Sequence, residues 1–134
     1  MRIYGRCNMI IGIGIDVVEI DRVKSAVERE LFVQQVFTPN EAAYCRSRGV
    51  QQAASFAARF AAKEAVAKAF GCGLAIRNIK EIEIVIKDKG RPSIVLHGGF
   101  AKLAAERGVT NIHISLTHAR AYAAAQAVLE GGGK

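Results

Sequence analysis

Residues 52–70 read Gln-Ala-Ala-Ser-Phe-Ala-Ala-Arg-Phe-Ala-Ala-Lys-Glu-Ala-Val-Ala-Lys-Ala-Phe. Alanine is the strongest helix former, and the run stops at Gly71-Cys72-Gly73, so it predicts one long helix. At about 100° per residue, Phe56, Phe60, Ala67 and Phe70 share a stripe that should face a core. The other faces are mostly alanine, so neighbouring elements can approach the helix all round. Lys63 falls within the aromatic stripe, while Glu64 and Lys68 lie one turn apart on its flank. Burying an unpaired charge costs several kcal/mol, so these charges need partners. An intrahelical Glu64–Lys68 pair, worth about 0.3–0.5 kcal/mol when exposed, would satisfy two of them.

Upstream of the helix, Thr38-Pro39-Asn40-Glu41 forms a capping box with proline at the first helical position, and Gly49 should close that helix. Asp21 can cap a helix over about 22–30, with Val23, Ala26 and Val27 on one face. Residues 10–18 form an apolar, β-branched run, read as a buried strand. Downstream, Ile82, Ile84 and Ile86 alternate with charged residues. With the turn Asp88-Lys89-Gly90-Arg91 and a return over 93–97, they predict a hairpin. A short helix over 100–107 should close at Gly108, and a strand follows through Ile112, Ile114 and Leu116. Residues 121–129 are ambiguous, because their alanines suit a helix while Val128-Leu129 suits a hairpin partner. The fold class is α+β: a single domain with a mainly antiparallel sheet packed on a long central helix. Residues 1–8 read as an N-terminal extension, 9–130 as the domain and 131–134 as a flexible tail.

With 134 residues the chain has room for one domain and a modest core. No stretch approaches the roughly 18–20 apolar residues of a membrane span, and 9–15 is too short and lacks a cleavage site for a secretory signal. Cys7, Cys45 and Cys72 are odd in number and lack metal or disulfide spacing, and the histidines show no ligand spacing. The expected compartment is the cytoplasm. A net charge of +7 favours a polyanionic partner: nucleic acid, an acidic protein or a phosphate-rich molecule. The basic residues are dispersed and no aromatic pair is interleaved with them, which weakens the nucleic-acid reading.

Two further segments are unusual. Asp16 ends the apolar strand in Gly12-Ile13-Gly14-Ile15-Asp16; such an acid either caps a turn or serves as a metal ligand on a rigid element. The third glycine of a dinucleotide fingerprint is absent, since Val17 stands there. In Ser115-Leu116-Thr117-His118, Ser115 and Thr117 share a face and His118 follows at the turn. The group suits phosphate binding, or is simply a polar strand edge. A Ser–His nucleophilic pair is disfavoured, because i and i+3 on a strand point to opposite faces.

Taken together, 12–22 (Gly-Ile-Gly-Ile-Asp-Val-Val-Glu-Ile-Asp-Arg), 59–69 (Arg-Phe-Ala-Ala-Lys-Glu-Ala-Val-Ala-Lys-Ala) and Ser115-Leu116-Thr117-His118 with Tyr122-Ala123 resemble the three motifs of the holo-acyl-carrier-protein synthase family. Phe37-Thr38-Pro39-Asn40-Glu41 and Gly90-Arg91-Pro92 also fit, and the match runs in order from Met9 to about Glu130. The resemblance implies the 4'-phosphopantetheinyl transferase fold. It also implies Mg²⁺-dependent transfer of 4'-phosphopantetheine from coenzyme A to a serine of apo acyl carrier protein, in support of fatty acid biosynthesis. By resemblance, Asp16 and Glu64 hold the magnesium ion, and two acids suffice because Mg²⁺ fills its octahedron with water and substrate phosphates. Lys68 is the candidate to deprotonate the serine or neutralise phosphate charge, with a metal-bound water as the alternative base. Arg59, Lys63, Ser115 and His118 are expected to bind the coenzyme A phosphates, with Pro92 near the adenine; Lys63 has a structural role as its alternative. Arg22, and more weakly Arg29, would dock the acidic carrier protein. Larger monomeric relatives carry a further acid where this chain has Val18, which implies the small homotrimeric branch with active sites at subunit interfaces. The family often has Gly-Thr-Gly where this chain has Gly71-Cys72-Gly73. The resemblance leaves no role for nucleic acid or membrane. Its rivals are a basic nucleic-acid-binding module, which leaves Asp16 and Glu64 idle, and a non-catalytic coenzyme A-binding protein.

Overall fold

The computed structural model describes residues 8–72 and 78–132. The elements are β1 (Asn8–Glu19), α1 (Ile20–Ala26), α2 (Glu30–Val36), α3 (Pro39–Arg46), α4 (Gln52–Ala69), β2 (Ile82–Ile86), β3 (Pro92–Leu96), α5 (Gly98–Glu106), β4 (Val109–His118) and β5 (Tyr122–Gly132). Strands β1, β5 and β4 form an antiparallel sheet in that order, and β2–β3 form a separate hairpin. The mixed architecture and the long helix agree with the expectation from periodicity. Among the described residues no helix is long and apolar enough to cross a membrane.

Helix α4 is buried nearly all round rather than along one stripe. Ala61, Ala62, Ala65, Val66, Ala69 and Phe70 join Ile82, Ile84, Phe100 and the inward residues of β5 in one cluster. Phe56, Ala57 and Ala58 join Val23, Val33, Phe37 and Cys45 in a second. The ambiguous segment is strand β5: Ala123, Ala125 and Ala127 face α4, and their small side chains let sheet and helix approach closely. The helix ends in a Schellman motif, with Cys72 N donating to Ala67 O (2.9 Å) and Gly71 N to Lys68 O (2.8 Å), Gly71 at φ 82°. Position 72 acts here through its backbone, so cysteine serves that cap as well as threonine would. Gly73 lies outside the described residues.

Several expectations need correction. Strand β5 runs to Gly132, and Gly131 and Gly132 pair with Met9 and Asn8, so the tail and the N-terminal extension each give up residues to the sheet. Strand β1 passes directly into α1 with Glu19 at the cap position and no side-chain cap bond, so Asp21 sits in the first helical turn. The expected helix over 22–30 stops at Ala26 and a new one starts at Glu30, because the chain must turn to bury Val33 and Phe37. The capping box at Thr38 and Glu41 is present as expected, although α3 closes at Ser47 before Gly49.

Candidate functional site

Strand β1 alternates, so Gly12, Gly14 and Asp16 share the face towards α4 while Ile13, Ile15 and Val17 point away. A Cβ on Gly12 would meet the Ala69 carbonyl, and one on Gly14 the Ala65 carbonyl. The two glycines therefore let the strand lie directly on the helix backbone, and Asp16 continues that line. Lys68 Nζ donates to Asp16 Oδ1 (2.8 Å) and to Ile15 O (3.2 Å), in place of the intrahelical partner Glu64. Glu64 is half-buried and makes no hydrogen bond or ion pair among the described residues. Burial and the nearby Asp16 carboxylate push its carboxyl above the ordinary range, against the pull of Lys68. Two neighbouring carboxylates, one of them unsatisfied, fit a divalent cation that takes one or two protein acids. Among the described residues there is no group of three or more His, Cys, Asp and Glu that could hold a metal ion.

A cleft of about 230 Å³ opens on one side, lined among others by Tyr44, Arg48, Ser55, Arg59, Gly90, Pro92, Thr117 and His118. The structure thus brings together Arg59, Pro92 and His118 from three separate segments. Arg59 is 7% exposed and has no carboxylate partner among the described residues; it donates to Ser55 O (3.3 Å) and Ser55 Oγ (3.2 Å) and lies 4.5 Å from the Tyr44 ring centroid. A buried guanidinium held by neutral groups is prepared for an anion. Arg48 lies 5.6 Å from the same ring. Sequence reasoning missed Tyr44 and Arg48, although their i, i+4 spacing marks an aromatic and a cation on one helical flank.

On the other side, Val17, Val18, Arg22, Val23, Arg29, Phe32, Phe60 and Tyr122 line an open groove of about 1190 Å³. Both predicted docking arginines border this groove, and Glu19, Asp21 and Glu28 line it with them. Val17 and Val18, next to Asp16 on β1, line the groove. Phe60 lines the groove one turn before Glu64, and Arg59 lines the cleft beside it. Asp16 and Leu116 both pair with Ala125, so two strand spacings separate them, roughly 10 Å.

Lys63 and Ser115 have different surroundings from the residues of the cleft. Lys63 is fully buried, and its ammonium is occupied by Glu41 Oε1 (2.8 Å), Ile82 O (2.6 Å) and Ile79 O (3.3 Å). An ammonium has three donors, so none remains for phosphate and the structural alternative applies. Burial pushes its pKa down, against the raising effect of Glu41. Ser115 sits two residues back from Thr117 on the same face of β4, about 7 Å along the strand.

Comparison with known proteins bears on this geometry. Residues 12–127 match the model of the 4'-phosphopantetheinyl transferase superfamily. A holo-[acyl-carrier-protein] synthase of Moorella thermoacetica is 48% identical over 118 residues, covering 87% of this chain and 91% of the relative. Among solved structures, the holo-(acyl-carrier-protein) synthase of Bacillus anthracis in complex with CoA (3',5'-ADP) aligns with TM-score 0.74 at 32% identity, covering 92% of this chain and 98% of that one. The acyl carrier protein synthase of Mycobacterium tuberculosis aligns with TM-score 0.70 at 40% identity, covering 92% and 99%.

Proposed function

This chain belongs to the 4'-phosphopantetheinyl transferase superfamily and, within it, to the holo-[acyl-carrier-protein] synthases, and on that premise we propose how its residues divide the work. The cleft takes the nucleotide end of coenzyme A, with Arg59 and His118 on its phosphates and Pro92 against the adenine. The Arg22–Arg29 groove takes the acidic carrier protein, whose serine hydroxyl then reaches the β-phosphate. A new P–O bond forms to the serine oxygen, whose proton passes to a solvent water, and the P–O bond to adenosine 3',5'-bisphosphate breaks, the leaving phosphate carrying away the electron pair. Asp16 and Glu64 would hold Mg²⁺, which when bound supplies charge neutralisation at the pyrophosphate. Lys68 already donates to Asp16 and Ile15 O, which supports its role as a cation that offsets phosphate charge over that of a base. Most of the acceleration then comes from positioning and electrostatics. The observation that supports the reading is Glu64, without a hydrogen bond or ion pair among the described residues, close enough to Asp16 for that carboxylate to raise its pKa.

Ile13, Ile15 and Val17 are 64%, 64% and 58% exposed on the outer face of the sheet, on the strand that carries Asp16. An apolar face of this kind supports burial between copies, hence the homotrimer with sites near its interfaces. Among the described residues Cys45 and Cys72 are free thiols, which supports a reducing, cytoplasmic setting. The test is mass spectrometry of apo carrier protein incubated with coenzyme A, Mg²⁺ and this protein. The carrier gains the mass of phosphopantetheine, and the gain disappears with EDTA or in Glu64→Gln. A gain indifferent to both would overturn the assignment of the two acids.

A further inference from the structure

Lys63, excluded from phosphate contact, belongs to a buried network that the transfer reaction leaves without a role. Glu41, 1% exposed at the start of α3, accepts from Thr38 N (2.9 Å) and pairs with Lys63 through Oε1, while its Oε2 accepts from Ile84 N (2.6 Å). Lys63 in turn donates to the Ile79 and Ile82 carbonyls. Thr38 Oγ1 continues the chain to Glu83 Oε2 (2.9 Å). Two opposite charges thus join α3, α4 and β2 in the interior.

Those are the elements that wall the nucleotide cleft. Tyr44 and Arg48 follow Glu41 on α3 and its exit, Arg59 precedes Lys63 by one turn on α4, and Ile86, Gly90 and Pro92 sit on the hairpin begun by β2. The hairpin has no ladder to the three-stranded sheet, and a two-stranded ribbon alone is marginal. Its position relative to Arg59 therefore depends on packing and on this network. A half-satisfied buried network costs more than none, so the contact tolerates little displacement.

We propose that Glu41 and Lys63 are positioning residues for coenzyme A: they fix the Pro92 hairpin at the distance from Arg59 that the nucleotide requires. This deepens the proposed function, since it rests on the cleft being the nucleotide site. The test uses the charge-neutral double variant Glu41→Gln/Lys63→Met, which removes both buried charges together and leaves neither unpaired. Calorimetric titration with adenosine 3',5'-bisphosphate is expected to give a Kd weakened on the order of tenfold, the scale on which supporting residues act. The KM for coenzyme A rises in parallel, while kcat and the KM for carrier protein stay near wild type. A variant that melts earlier but binds the bisphosphate as tightly as wild type overturns the proposal, as does equal loss towards the carrier. If the wild type itself does not bind the bisphosphate, the cleft assignment fails instead. Should the double variant not fold, amide exchange in the wild type decides: the Ile84 N–H is expected to exchange more slowly once the bisphosphate is bound, and an unchanged rate overturns the proposal.

Discussion

Replacing Gly14 by alanine puts a methyl carbon where the structure has helix backbone. The new Cβ would meet the Ala65 carbonyl oxygen and lie 2.8 Å from Ala69 N, and neither obstacle is a flexible side chain that can swing away. Glycine-to-alanine changes at compatible positions stabilise by about 0.4–1 kcal/mol through the unfolded chain, so free space would give that sign. Overpacking costs about 1–3 kcal/mol, and backbone obstacles favour the upper end, which leaves a net loss of about 2 kcal/mol. For a chain of 134 residues, about 4 °C per kcal/mol translates this into a Tm lower by roughly 8 °C. The strand must also back away from α4 and carry Asp16 from Glu64. A displacement of about 1 Å can cost on the order of 10²-fold in kcat/KM. Calorimetric Tm and phosphopantetheine transfer, measured well below both melting points, check the two numbers. Gly132→Ala, whose Cβ meets nothing within 4 Å, is the control. A Gly14→Ala protein that melts at or above the wild-type temperature with unchanged kcat/KM would refute the close-approach argument.

Three other outcomes follow from particular side chains. Arg22→Glu raises the KM for carrier protein by about tenfold or more at low salt and leaves that for coenzyme A nearly unchanged, because Arg22 borders the groove and not the cleft; steady-state kinetics with each substrate varied would expose equal damage to both. Ile15→Glu places a charge in the exposed apolar face of β1, so sedimentation should show monomers in place of the proposed wild-type trimer; an unchanged sedimentation coefficient would rule that face out. Burial tends to raise the Glu83 carboxyl, but hydrogen bonds from His97 and Thr38 outweigh it and hold the folded pKa below the ordinary value. A depressed acid stabilises the fold above its unfolded pKa, about 4.3, and loses that contribution as pH falls through the folded value. The stability gap between wild type and Glu83→Gln, about 1–3 kcal/mol for bonds to a charged acceptor, should therefore shrink as pH falls below about 4 in denaturant titrations.

Local patterns alone determined the long alanine helix, the capping box at Thr38, the hairpin around Gly90 and the three motifs. Each depends on residues close in sequence, whose periodicity and turn chemistry act before any tertiary contact forms. The identity of β5 was beyond such reasoning, because alanine reports only a small side chain; the need for sheet and helix to lie close chose the strand. The partners of the charges on α4 were equally hidden. Lys63 and Lys68 look alike in sequence, yet one is sealed against Glu41 and the other reaches Asp16, because desolvation requires a partner wherever packing happens to supply one. The cleft joins residues 44, 59, 92 and 118, and no local signal measures such distances. Only the fold could bring Arg59, Pro92 and His118 to one opening.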